Sequence, residues 1–422
     1  MEAAKKQPLL NGPLRLFMGT MILANIAGSM HFALLPIYLQ HLGANIEQVG
    51  LFFTLSAIIP LLMQVIGGWL SDSIGRLQAI AIGSVAGVLS YVIYLVSPRW
   101  EWLLLAATAG FITRSFVGPS FQAFVAEQST EETRGRVYGI TEGLFSVVGI
   151  IGPPLGGFLS ERYSFKVMYA VAGAMYLIAA VIRVWMARDA TRTEVTPRER
   201  PTFSGLKRSL LEMAGLLAAG GIITWIFISD GVRDIAVNME QQLRPLYMQN
   251  LNGITNTQIG LLASVSSITM MVVMSFGGWL SDKWGERVGI VLGLLIVVFG
   301  QAVFLMSQTF WTFAIAWGLF GVGWGFVSPA YDALISKAVP MRLRGTAFGL
   351  FSTSIGIVAL PAPYIGGLMW RYLGPKAPFL VLPSVMLIML PIIWVKFRLT
   401  KEEEAVSNQP SAVSSEAEAA SS

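Results

Sequence analysis

The sequence predicts an all-α membrane protein: twelve transmembrane helices in two pseudo-symmetric six-helix bundles. Three observations lead there. Apolar residues make up 54% of the 422 residues and charged ones 13%, against about 25% charged residues in a soluble domain. The apolar residues fall in runs long enough to cross a bilayer as helix, which takes roughly 20 residues. The second half of the chain repeats the first at a nearly constant offset.

The runs lie at 13–40, 47–70, 78–97, 102–127, 135–159, 164–187, 213–248, 256–280, 288–307, 310–337, 345–370 and 376–398, and are read as spans 1 to 12. Most are apolar on every side, as lipid-facing helices are. Helix is required because backbone in hydrocarbon must satisfy its own hydrogen bonds. Span 1 follows Lys5 and Lys6, is too long for a signal-peptide core and precedes no small-residue cleavage site, so it reads as an uncleaved first helix. The bundles are then 1–187 and 213–398, joined by a polar, basic linker at 188–212. The stretch Leu206 to Gly221 reads either as an interfacial helix or as an early start of span 7. The tail, 399–422, is rich in Ser, Ala and Glu and is expected to be disordered.

Basic residues set the orientation. Of 29 Lys and Arg, five fall on one side (Arg99, Arg162, Lys166, Arg371, Lys376) and three inside spans (Arg114, Arg233, Arg244), leaving 21 on the side of both termini. That side is expected to be cytoplasmic, making a multi-pass protein of the cell (inner) membrane. The bias also accounts for the net charge of +5 without a nucleic-acid partner.

The repeat is detailed. Shifted by 210 residues, Gly67-Gly68-Trp69-Leu70-Ser71-Asp72 falls on Gly277-Gly278-Trp279-Leu280-Ser281-Asp282, and Pro153, Gly156 and Gly157 fall on Pro363, Gly366 and Gly367. In span 1 the shift is 209, placing Pro36 and Tyr38 on Pro245 and Tyr247. Two six-helix units of one topology are typical of secondary transporters, whose halves rock about a midplane site.

The stretch Gly67 to Arg76, between spans 2 and 3, resembles the G-x-L-x-D-x-x-G-R signature of the major facilitator superfamily. Glycines there let helix ends approach closely, and Asp72 can meet a helix N-terminus or an arginine. The resemblance implies gating roles for Gly68, Asp72, Gly75 and Arg76, and in the second copy for Gly278, Asp282 and Gly285; the plainer reading is a tight turn with solvated charges. In span 5, Gly149, Gly152, Pro153, Gly156 and Gly157 resemble the family's G-x-x-x-G-P-x-x-G-G signature, which is associated with exporters. Ordinary helix packing is the alternative. Arg114 followed by Gly118-Pro119 resembles the family's span-4 signature.

An intramembrane arginine is costly unless paired or wet. Arg114 therefore reads as a proton-coupling or substrate-binding group, or as half of a structural pair with Glu142, Asp230 or Asp234. Span 7 holds Asp230, Arg233, Asp234, Asn238, Glu240 and Arg244. Asp230, Arg233 and Asp234 share one helix face by spacing, provided that span 7 does not end near Ser229. The repeat sets Asp234 on Asn25 and Glu240 on His31, so both helices present polar groups at one depth. A carboxyl group moved out of water can exchange a proton near neutral pH. His31 reads as a packed neutral ring or as a functional group. Asp332 is placed at a cavity or against Arg342 or Arg344, and Phe32, Phe121, Trp225, Trp324 and Tyr331 are possible cavity aromatics.

With no cysteine and only two histidines, thiol chemistry, disulfides and histidine-rich metal sites are excluded. No phosphate loop is present, so no ATP-driven step is expected from this chain. An enzyme is not expected, nor a metal or cofactor. The reading is a secondary active transporter, acting as a monomer, with a small molecule, a proton or other coupling ion and the lipid bilayer as partners. Proton-coupled efflux of amphipathic or drug-like molecules is favoured; uptake of a sugar or organic anion, and lipid or lysolipid transport, are the alternatives.

Overall fold

The computed structural model describes residues 12–74, 76–127, 129, 131–190, 221–339 and 358–398. The linker beyond Ala190, the stretch from Leu206 to Gly220, the start of span 11 and the tail lie outside the described residues.

Proline decides where span 1 breaks. Read as one run from sequence, it forms α1 (Gly12–Phe32) and α2 (Leu35–His41), bent by 54°. Pro36, in the first turn of α2, has no N–H for the ladder. Spans 2 to 6 form α3 (Ile46–Ile74), α4 (Arg76–Val96), α5 (Leu103–Glu127), α6 (Glu131–Arg162) and α7 (Phe165–Ala190). Span 7 breaks as span 1 does, into α8 (Ile222–Glu240) and α9 (Arg244–Asn252), with Pro245 in the first turn of α9. Then come α10 (Asn256–Trp284), α11 (Glu286–Met306), α12 (Phe310–Ala338), α13 (Ala362–Leu373) and α14 (Ala377–Lys396).

The repeat extends to the caps. Before α3, Asn45 Oδ1 accepts from Gln48 N at 2.8 Å and Gln48 Oε1 accepts from Asn45 N at 2.9 Å. Before α10, Thr255 and Gln258 make the same reciprocal pair. Each box satisfies two donors that a helix start leaves open.

Among the described residues, seven helices are each long and apolar enough to cross a membrane, and the bent pair α1–α2 makes an eighth. The fold is all-helical, as expected for a twelve-span membrane protein.

Two compact units emerge from the packing: residues 1–200 with 242–267, and 201–241 with 268–422. The first is centred on α1, α4, α5, α6 and α7, around Phe17, Phe121, Phe124, Val125 and Met186. Phe17 meets Phe124 edge-on at 5.0 Å. In the second unit α11 packs on α12 and α14, and α8 on α13 and α14. The α11–α12 crossing needs two glycines: a Cβ at Gly293 would meet the Gly323 carbonyl, and one at Gly323 the Gly293 carbonyl. Such small-residue contacts are how helices associate where hydrocarbon surrounds them.

Candidate functional site

Helix α8 continues through the acidic stretch to Glu240, so Asp230, Arg233 and Asp234 lie on helix, not beyond its end. Arg233 Nη2 sits 2.7 Å from Asp230 Oδ1 and 3.3 Å from Asp234 Oδ1. Its guanidinium lies over the rings of Tyr331 (4.8 Å) and Trp324 (5.8 Å) from α12. Asp230 is buried and Asp234 is more open; the Asp234 carbonyl accepts from Asn238 Nδ2 at 2.8 Å. A cavity of about 10 Å³ beside Ser229, Arg233 and Tyr331 has room for about one water. One cation thus holds two carboxylates of unequal exposure, with an aromatic floor.

His31 and Glu240 occupy corresponding places. His31 lies among Tyr91 (5.8 Å), Tyr94 (5.3 Å) and Tyr169 (5.5 Å). Glu240 is fully buried and accepts from Gln301 Nε2, which also donates to the Phe379 carbonyl at 3.0 Å. At the 210 offset Gln301 is Tyr91, Phe304 is Tyr94 and Phe379 is Tyr169. The residues at the two sites thus correspond in the repeat, and each site lies where its helix breaks.

The span-5 glycines pack α6 closely. A Cβ at Gly152 would meet the Ser29 side chain, one at Gly156 the Met30 backbone, and one at Gly157 the backbone of Asn256 and Thr257. At Gly149 a Cβ would approach the Ser267 hydroxyl. Pro153 and Pro154 cannot donate to the carbonyls of Gly149 and Ile150. Those carbonyls accept instead from α10, from Ser267 Oγ at 3.3 Å and Ser264 Oγ at 2.6 Å.

Residues 17–240 and 241–419 each match the family model described as Major Facilitator Superfamily. The chain belongs to that superfamily. It is 30% identical over 391 residues to the Citrobacter koseri protein named multidrug resistance protein MdtG, covering 90% of this chain and 93% of that one. To the Lactococcus lactis multi-drug resistance efflux pump PmrA homolog it is 25% identical over 384 residues (88% and 91%). To the Staphylococcus aureus quinolone resistance protein NorA it is 22% identical over 343 residues (80% and 84%). Among solved structures, a bacterial homologue of the iron transporter ferroportin in an inward-facing state superposes with a TM-score of 0.73 at 14% identity, over 91% of this chain and 98% of that one. That likeness concerns the fold. The chain is a membrane transporter of the major facilitator type, not an enzyme.

Of the superfamily's loop signature, Gly68 and Asp72 fall within α3 and Arg76 opens α4. Gly75, and the side chains of Asp72 and Arg76, lie outside the described residues. In the second copy Gly285 links α10 to α11 at φ +89°, which an L side chain rarely adopts. Gly278 lies on α10 and Asp282 is exposed on its last turns. Beside them, Lys337 from the end of α12 pairs with Glu286 at the start of α11.

Arg114 is exposed on α5, 4.8 Å from the Phe111 ring centroid, and among the described residues of its unit no carboxylate pairs with it. Glu142 is exposed on α6, and Asn25 is half-buried on α1. Asp332 is exposed on α12, while Arg342 and Arg344 lie outside the described residues. Phe121 belongs to the first unit's core and Phe32 is exposed.

One residue was missed. Arg183 counted among the basic residues on the side of the termini, but it is fully buried inside α7. It donates to Thr20 Oγ1 (3.1 Å), Ser84 Oγ (3.2 Å) and the Thr20 carbonyl (3.2 Å), between the rings of Phe17 and Tyr176. Its signal in the sequence is an arginine inside the apolar run Val181-Ile182-Arg183-Val184-Trp185-Met186, near the end of span 6.

Proposed function

We propose that the chain exports amphipathic, drug-like molecules in exchange for protons, with Asp230, Arg233 and Asp234 as the proton-exchanging group. The observation that carries the proposal is the α8 cluster: two carboxylates share one arginine on one helix face, over aromatic rings. A proton arriving at Asp234 releases Arg233 to Asp230; substrate arrival reverses the exchange. The two six-helix repeats, 1–187 and 213–398, are the moving bodies, with the loop copies at Asp72 and Asp282 as gates and both termini in the cytoplasm. The names of the Citrobacter and Lactococcus relatives support drug-like substrates.

The test is proton movement in sealed vesicles holding purified full-length protein, read with a pH-sensitive dye. Lipophilic cations, sugars and organic anions are added in turn. A lipophilic cation is expected to dissipate the pH gradient with the wild type and at least about tenfold more slowly with Asp230→Asn or Asp234→Asn, as loss of a general proton carrier implies. Compound movement without proton flux, equal in all three proteins, overturns the coupling. Arg114 supports a second reading, in which its charge, without a carboxylate partner among the described residues of its unit, receives an organic anion. A response confined to anions and lost in Arg114→Gln would select that reading.

A further inference from the structure

In the first unit, residues of α4 and α7 line a groove of about 670 Å³. Its walls are apolar: Val85, Leu89 and Val92 on α4 and Val181 on α7 are each about half exposed or more. Trp185 and Arg188 stand at one end. In a chain that spans a membrane, such exposed aliphatic walls face hydrocarbon. From Leu177 to Arg188 the groove runs eleven residues along α7, about 16 Å at 1.5 Å per residue. One leaflet's hydrocarbon is about 15 Å, half of a roughly 30 Å core. The groove therefore runs from mid-membrane to the headgroups, and a tryptophan and an arginine mark the headgroup end, where such side chains settle.

Arg188 brings a positive charge to that end, and the sequence that follows it is basic. Residues 188–208 hold six basic residues (Arg188, Arg192, Arg198, Arg200, Lys207, Arg208) against three acidic ones (Asp189, Glu194, Glu199). The repeat does not require the opening: where the groove has Ala180, Leu89 and Val181, the second half has Leu390, Phe299 and Pro391. Larger side chains at the first two positions would fill the same space.

We infer that this groove is a binding site for one anionic phospholipid of the leaflet on the linker side. An acyl chain lies between α4 and α7, and the phosphate rests against Arg188. An occupant there would bridge α4 and α7.

Trp185 serves as the reporter. Full-length protein is reconstituted with mixtures of acyl-brominated phosphatidylglycerol and phosphatidylcholine, and the quenching belonging to Trp185 is taken as wild type minus Trp185→Phe. The expected preference for phosphatidylglycerol is about fivefold, the effect of one basic residue at a membrane surface. It should fall to about one in Arg188→Ala and persist in Arg188→Lys. It should also persist in Arg398→Ala, the repeat counterpart, which carries the same loss of charge elsewhere. A wild-type preference near one, a preference unchanged by Arg188→Ala, or equal loss in Arg398→Ala would overturn the site. Arg188 is exposed, so its variants should fold as the parent does.

Discussion

A carbonyl stripped of its helical donor needs another, and this need defines a short contact between α6 and α10 in the first unit. Pro154 denies Ile150 its i+4 hydrogen bond, and Ser264 Oγ supplies one at 2.6 Å. Ser264→Ala should therefore leave a buried carbonyl unsatisfied and cost about 1–3 kcal/mol. In a Pro154→Ala background the restored N–H serves Ile150, and the same change should cost much less. Thermal unfolding in detergent of the four proteins measures the coupling; additive costs would show that the serine's bond carries no weight. Arg183 makes the complementary case. It is buried without a carboxylate among the described residues, held by hydroxyls and rings. Replacing a buried charge by an apolar group of similar size is often neutral or stabilising, whereas truncation leaves a cavity. Arg183→Met should change stability by under about 1.5 kcal/mol, and Arg183→Ala should cost about 2–5 kcal/mol. At this scale the sequence was partly legible. The spacing of Asp230, Arg233 and Asp234 set one face, and the structure brings the three together. The hydroxyl partners of Arg183 come from α1 and α4, far away in the chain, and no local pattern announces them.

Helices meet through their backbones at two places that the repeat relates. A Cβ at Gly156 of α6 would collide with the Met30 carbonyl of α1, and one at Gly366 of α13 with the Met239 carbonyl of α8. Met30 and Met239 each precede a caged titratable residue, His31 or Glu240, at the end of a broken helix. Gly→Ala in an ordinary helix interior stabilises by about 0.5–1 kcal/mol. At Gly156 and Gly366 the sign should reverse, with losses of about 1–3 kcal/mol from overpacking. A Cβ at Gly139 of α6 would meet nothing within 4 Å, so Gly139→Ala should be neutral or stabilising. Melting temperatures of the three variants decide it; equal effects at all three sites would show that the close approach is not real. The breaks themselves were only half legible. Pro36 and Pro245 stood in the sequence, but unbroken apolar runs at 13–40 and 213–248 read as single spans. Hydropathy records whether a residue tolerates lipid and not whether its N–H has an acceptor.

Across the whole chain the repeat is the best-read feature, because it needs no geometry: offsets of 209 and 210 match loops, caps and cages alike. Departures from it are where function is to be sought. Trp324 stands where the first half has Arg114, Glu240 where it has His31, and Ile393 where it has Arg183. Charges that symmetry does not demand must be held by a local need, such as the shared arginine of α8. Orientation rests on the same whole-chain logic, since 20 of 29 basic residues (the 21 read from sequence less the buried Arg183) fall on the side of the termini. The chain has no cysteine, so single cysteines can report it without background. Ser204→Cys in the linker and Ser414→Cys in the tail should resist a membrane-impermeant maleimide in intact cells and react once the cells are opened. Tyr163→Cys and Leu373→Cys, exposed at the opposite ends of their helices, should react from outside. Labelling of Ser414→Cys in intact cells would invert the orientation, and with it the direction in which a proton gradient drives the substrate. The α8 carboxylates would then draw protons from the other side, and the export reading would have to be exchanged for uptake.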